Sequence, residues 1–240
     1  MPHLYYHFKP KFKASPILIA GFPGIASVGK IAAEHLIHSL NAKLFLDLYS
    51  EYLPEWALKR KDGLLDTIAV HFYWASPSDV ELMIITSDAQ AITPYGQYML
   101  TEQILEVARE FGVKKVITAA AYVLAPGEKR KPVVGAGSSP QGVEWLKENG
   151  VEILEGGVIV GMNGLLPCLS SLMGMEGICL LGTTRGGLAD PEAAKNILQV
   201  LSKLIKIEID LEGIEERYSL PPLPSFEPKT EEEEESLYIR

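Results

Sequence analysis

The stretch Gly21-Phe-Pro-Gly-Ile-Ala-Ser-Val-Gly-Lys30 follows an apolar run over residues 17–20 and has the spacing of a phosphate-binding loop. From Gly24 it reads G-x-x-x-x-G-K, with Gly29 and Lys30 where a P-loop needs them. The next residue is Ile31, where a Ser or Thr hydroxyl would ligate magnesium, and isoleucine has no side-chain oxygen to offer. Two readings stay open. In one, backbone N–H groups at the start of the following helix cradle a phosphate. In the other, Gly21, Pro23, Gly24 and Gly29 form only a tight strand-to-helix turn, which needs no ligand.

Residues 82–88, Leu-Met-Ile-Ile-Thr-Ser-Asp, end like the acidic strand that holds magnesium in P-loop enzymes, so Asp88 is a candidate partner of Lys30. A loop aspartate accepting from nearby backbone N–H groups is the simpler account. Ser138 and Ser139 follow Gly137 without a G-x-S-x-G elbow, which disfavours a serine hydrolase. Glycine-rich stretches at 156–157, 161–164 and 182–187 flank strands where open α/β sheets bind ligands, and Arg185 could meet an anion there. The histidines at 3, 7, 35, 38 and 71 have no metal-type spacing. No metal, cofactor or catalytic residue is expected. Cys168 and Cys179 lie in apolar sequence without C-x-x-C pairing, as buried inert thiols of a reducing compartment do.

Charge narrows the partners. The net charge of −9 is partly concentrated in the run 231–235, and the basic residues are scattered, so nucleic acid is excluded as a natural partner. No apolar segment reaches membrane-spanning length and the first residues do not read as a signal peptide. A cytoplasmic protein without membrane attachment is expected.

The elements that must position these residues alternate between apolar strands and amphipathic helices, the pattern of an α/β fold with a mostly parallel or mixed central sheet flanked by helices. Strands are expected at residues 4–8, 17–21, 43–48, 67–73, 80–86, 115–121, 157–160 and 177–181. Helices are expected at 26–40, at 94–111 with Thr93 as cap and Gly112 as stop, and from Asp190-Pro191 onward. With 240 residues and no linker at mid-chain, one domain over 1–218 is expected, followed by a Pro-rich and acidic tail over 219–240.

Four groups of residues together resemble the proteasome assembly chaperone family in its archaeal and bacterial branch. They are Gly21-Phe-Pro-Gly24 with residues 28–33; 86–90 with 95–98; 161–166; and 179–182 followed by Asp190-Pro191. The resemblance spans about residues 17–209. It implies a nucleoside-phosphorylase-like α/β body, self-association into a homo-oligomer, and binding of proteasome α-subunits or a paralogous assembly chaperone without catalysis. It also implies a partner contact through a hydrophobic-Tyr-x terminus. Here Leu237, Tyr238, Ile239 and Arg240 are similar, with Tyr238 one place further from the end than the family pattern. One extra residue in an extended chain shifts the end by about 3.3 Å and turns alternate side chains over. The competing reading is an enzyme that binds a nucleotide or small metabolite through Gly24, Gly29, Lys30 and Asp88.

Overall fold

Strands that are apolar on both faces require cover on both faces. The computed structural model, which describes residues 2–60 and 62–218, provides it. The chain runs β1 (His3–Tyr6), β2 (Ile17–Ala20), α1 (Val28–Ser39), β3 (Lys43–Tyr49), β4 (Ala57–Lys59), β5 (Leu65–Thr67), β6 (Val70–Ala75) and β7 (Leu82–Ser87). It continues with α2 (Pro94–Glu110), β8 (Lys115–Val123), β9 (Val133–Gly137), α3 (Pro140–Glu148), β10 (Glu152–Ile153), α4 (Met162–Leu172), β11 (Glu176–Thr184), α5 (Pro191–Ile205) and α6 (Ile214–Tyr218).

Nine strands form one mixed sheet in the order β1-β3-β6-β7-β2-β8-β11-β9-β10, and β4 pairs with β5 separately. The middle four, β7, β2, β8 and β11, are mutually parallel. Antiparallel strands extend the sheet on both sides. The side chains of β2 and β7 split by parity, as a period of two requires. Ile19, Leu82 and Ile84 pack with α1 and α5 on one face. Leu18, Ala20, Met83 and Ile85 pack with α2 and α4 on the other.

Helix starts follow their caps. The Thr93 hydroxyl accepts from the Gly96 amide, Ser139 from Gly142 and the Asp190 carboxylate from Ala193, each before a proline that suits the first turn. Gly112 ends α2 with φ +77°.

Several expectations change. The helix expected from residue 26 begins at Val28, because Ala26 and Ser27 take φ values of 48° and 51° in a 3-10 turn. The strand expected over 67–73 is shifted to Val70–Ala75, and β9 with α3 occupies residues for which no element is expected. Residues 161–164, expected as a glycine-rich loop, open α4 instead. Residues 157–160 belong to no strand. Cys179 is buried, its thiol pushed up to about 12 by desolvation, but Cys168 is exposed on α4, contrary to the expectation of two buried thiols. Leu237, Tyr238, Ile239 and Arg240 lie outside the described residues, as does the rest of 219–240.

Candidate functional site

At the carboxyl ends of β2 and β8 a cleft of about 650 Å³ opens. Clefts at this place in a parallel sheet are the usual ligand or partner sites of open α/β folds. One wall is the turn after β2, with Pro23, Gly24 and Ile25, and the start of α1 at Gly29. The end of β8 makes the floor, and residues 157–161 with Gln97 complete the rim.

The turn is held by side chains from two distant segments, residues 86–90 and the start of α4. Thr86 Oγ1 donates to the Gly21 carbonyl at 2.7 Å. Asn163 Oδ1 accepts from the Phe22 amide at 3.0 Å while its Nδ2 donates to the Phe22 carbonyl at 3.2 Å. Gln90 Nε2 donates to the Pro23 carbonyl, and Gln90 Oε1 accepts from the Met162 amide at 2.7 Å. The Gly24 carbonyl accepts from the Ser27 amide at 3.0 Å. Buried backbone groups cost free energy when unpaired, so this full set of partners fixes the turn in one conformation.

The glycines serve packing. A Cβ on Gly21 would stand 2.0 Å from the Gly29 carbonyl oxygen, and one on Gly29 would stand 2.3 Å from that of Ala119. Only hydrogen at both positions lets α1 lie this close to β2 and β8. Gly24 differs: its φ of −171° is ordinary extended backbone, and its Cβ would find nothing nearer than 3.8 Å.

Lys30 and Asp88 do meet. Lys30 Nζ lies 2.6 Å from Asp88 Oδ1 and 3.5 Å from Glu34 Oε1, so Asp88 is engaged by an ammonium instead of by nearby amides. Burial pulls the Lys30 pKa down. The hydrogen bond to Asp88 and the charges of Glu34 and Asp88 outweigh that and hold it above its ordinary value. Burial raises Glu34 against the pull of Lys30.

Of the residues read from sequence, Pro23, Gly24 and Gly29 line the cleft, whereas Gly21, Lys30 and Asp88 do not. No charged side chain lines the cleft among the described residues, so a phosphate there would meet no cation. The Ser27 and Val28 amides, which a P-loop would turn to phosphate, donate instead to carbonyls of their own turn. No group of His, Cys, Asp and Glu among the described residues could hold a metal. No helix among them is long and apolar enough to cross a membrane.

What the arrangement offers is shape and apolar surface. Ile25, Val123, Val158 and Val160 line the cleft and are exposed, the two latter valines at 85% each. Ile92, Tyr95, Tyr98 and Leu188 are also exposed. Exposed apolar residues at this density mark contact surfaces. The sequence had pointed to no role for Asn163, Gln90 or Gln97. The available signal was an amide residue inside each of three otherwise small or apolar motifs.

A family model for the PAC2 family matches residues 18–219. The uncharacterized protein MJ1210 of Methanocaldococcus jannaschii is 37% identical over 202 residues, covering 84% of this chain and 78% of its own. Pyrococcus furiosus PbaB, an archaeal proteasome activator, superposes with a TM-score of 0.82 at 36% identity, covering 90% of this chain and 93% of PbaB. P. furiosus PbaA, an archaeal homolog of proteasome-assembly chaperone, gives 0.75 at 28% identity, with 89% and 86% covered. The matched span and the shared fold agree: the chain belongs to the PAC2 family of proteasome assembly chaperones.

Proposed function

We propose that this chain is a non-enzymatic, cytoplasmic, proteasome assembly chaperone-like protein that self-associates and binds proteasome α-subunits or a paralogous chaperone. In this reading residues 1–218 form the body and 219–240 a tail whose Leu237, Tyr238, Ile239 and Arg240 contribute to the partner contact. The observation that carries it is an uncharged, apolar cleft rim on a fold shared with PbaA and PbaB. Such a rim suits a polypeptide and offers a nucleotide no countercharge.

The match to PbaB, a proteasome activator, also favours a second outcome of the same contact, in which the chain acts on assembled proteasomes. One experiment addresses both. Tagged full-length chain and a variant lacking residues 237–240 are incubated with free α-subunits and with assembled proteasome. Retention of α-subunits that weakens on deletion, with folding and native mass unchanged, is the expected result. Equal retention by both forms removes the tail from the contact, and no retention by either removes the proteasome as partner. Stimulated peptide hydrolysis by assembled proteasome would favour the activator outcome. Calorimetry with ATP and magnesium on wild type and Lys30→Ala tests the enzyme reading, and heat at micromolar affinity lost in the variant would restore it.

A further inference from the structure

Residues 155–160, Glu-Gly-Gly-Val-Ile-Val, make no backbone hydrogen bond to any other described residue. Val158, Ile159 and Val160 are β-branched, which is why a strand is expected over 157–160, yet the sheet has no place for it. Ile159 packs on the small cluster of Ala120, Cys179 and Leu181, so the segment is anchored to the body while Val158 and Val160 project outward. Gly156 and Gly157 take positive φ values of 77° and 100° and turn the chain, and beyond them 158–160 keep N–H and C=O groups free of backbone partners, which a peptide laid alongside could use. Beside it, Gln97 donates from Nε2 to the Ala91 carbonyl at 2.6 Å, which fixes the orientation of its amide. Gln97 Oε1 is then left buried without a partner on the cleft wall, an acceptor awaiting an N–H or O–H from an occupant.

We propose that the cleft and residues 155–160 form a docking site for an extended peptide, and that its occupant is residues 236–240 of the same chain. The cleft carries no charged side chain among the described residues, which suits the apolar side chains of Leu237 and Ile239. Beyond residue 218 the stretch 220–228 is rich in proline, which cannot donate to a ladder, and 231–235 are all glutamate. The longest stretch free of both is 236–240, and in an extended chain Leu237 and Ile239 share a face opposite Tyr238.

The reach is short. Arg217 on α6 lies 3.5 Å from His35, and His35 stands on α1 about 9 Å along the helix axis from Gly29, which lines the cleft. The residues from 218 to 236 can extend to about 60 Å, several times that separation. A tethered segment experiences a local concentration in the millimolar range, so even weak docking is populated. Docked, the tail is withheld from any other partner, a step that goes beyond the proposed function and precedes it.

Amide hydrogen exchange on the full chain, with no proteasome subunit present, tests this separately from the partner reading. Amides of 155–160 should exchange about tenfold more slowly in wild type than in the double variant Leu237→Asp, Ile239→Asp. That protection should persist across about a hundredfold dilution, as an intramolecular contact does. In the reverse variant, Val158→Asp with Val160→Asp, amides of 236–240 should exchange faster. Equal rates in wild type and either variant overturn the proposal, and protection lost on dilution overturns it in favour of a second copy as donor.

Discussion

Gly21, Gly24 and Gly29 look alike as letters and differ as atoms. A side chain at Gly29 would collide with a backbone oxygen of β8 that has no room to retreat. Gly29→Ala should therefore lose about 2 kcal/mol or more, since overpacking exceeds the gain of roughly 1 kcal/mol in helix propensity. Gly24→Ala should stay within about 1 kcal/mol of wild type. Urea unfolding midpoints at constant slope would compare the two, and equal losses would mean that the close approach of α1 is not what requires glycine. A second test concerns Pro167, which sits inside α4 and cannot donate to the carbonyl of Asn163 four residues earlier. That carbonyl accepts from Thr118 Oγ1 at 2.6 Å instead. Thr118→Val should cost about 1–3 kcal/mol by orphaning it. Pro167→Ala in the same background, which restores a helix donor, should recover at least about 1 kcal/mol; additive effects would refute the substitution of one donor for the other.

At the scale of elements, legibility followed local signals. The starts of α2 and α5 were readable because a cap and a proline coincide, and β2 and β7 because four or more apolar residues run together. α4 was hidden by Gly164 and Pro167, residues that local propensity assigns to loops and that tertiary packing here overrides. Residues 157–160 failed in the opposite sense: strand propensity is present, and what is missing is a neighbour. The locked turn was legible as three separate motifs, but their convergence on one backbone loop depends on contacts up to 141 residues apart, which no local window sees.

α6 was missed for its shortness, and its attachment is sensitive to acid. His35 is buried on α1, and its Nε2 donates to the Asp210 carbonyl at 2.7 Å, which leaves Nδ1 unprotonated toward Arg217. Burial lowers the His35 pKa, against the carbonyl bond and with the charge of Arg217. A folded-state pKa below the ordinary 6.5 means that the unfolded chain takes up the proton first. The stability from neutral His35 is thus complete above pH 6.5 and declines as pH falls toward the folded-state value. Exchange of amides in α6 should accelerate between pH 7 and pH 5, after correction for intrinsic rates, and His35→Gln should flatten that dependence. A pH dependence unchanged in the variant would place the sensitive group elsewhere.

For the whole molecule, charge is distributed by task. The cleft is neutral, the body pairs many of its ions internally, and five glutamates of the net −9 stand in a row just before Ser236. In the proposed function that row is a steering charge which adds attraction toward a basic partner surface without occupying the contact itself. Such attraction acts over a Debye length, about 8 Å at physiological salt, and therefore raises the rate of encounter more than the lifetime of the complex. Replacing residues 231–235 by serine should then slow association with α-subunits by about tenfold at low salt while changing dissociation little. The wild-type association rate should fall toward that of the variant as ionic strength rises, and the unfolding midpoint of the two should agree. Surface-bound α-subunits and a salt series would measure all three. Association that is equally salt-insensitive in both forms would assign the glutamates to solubility alone.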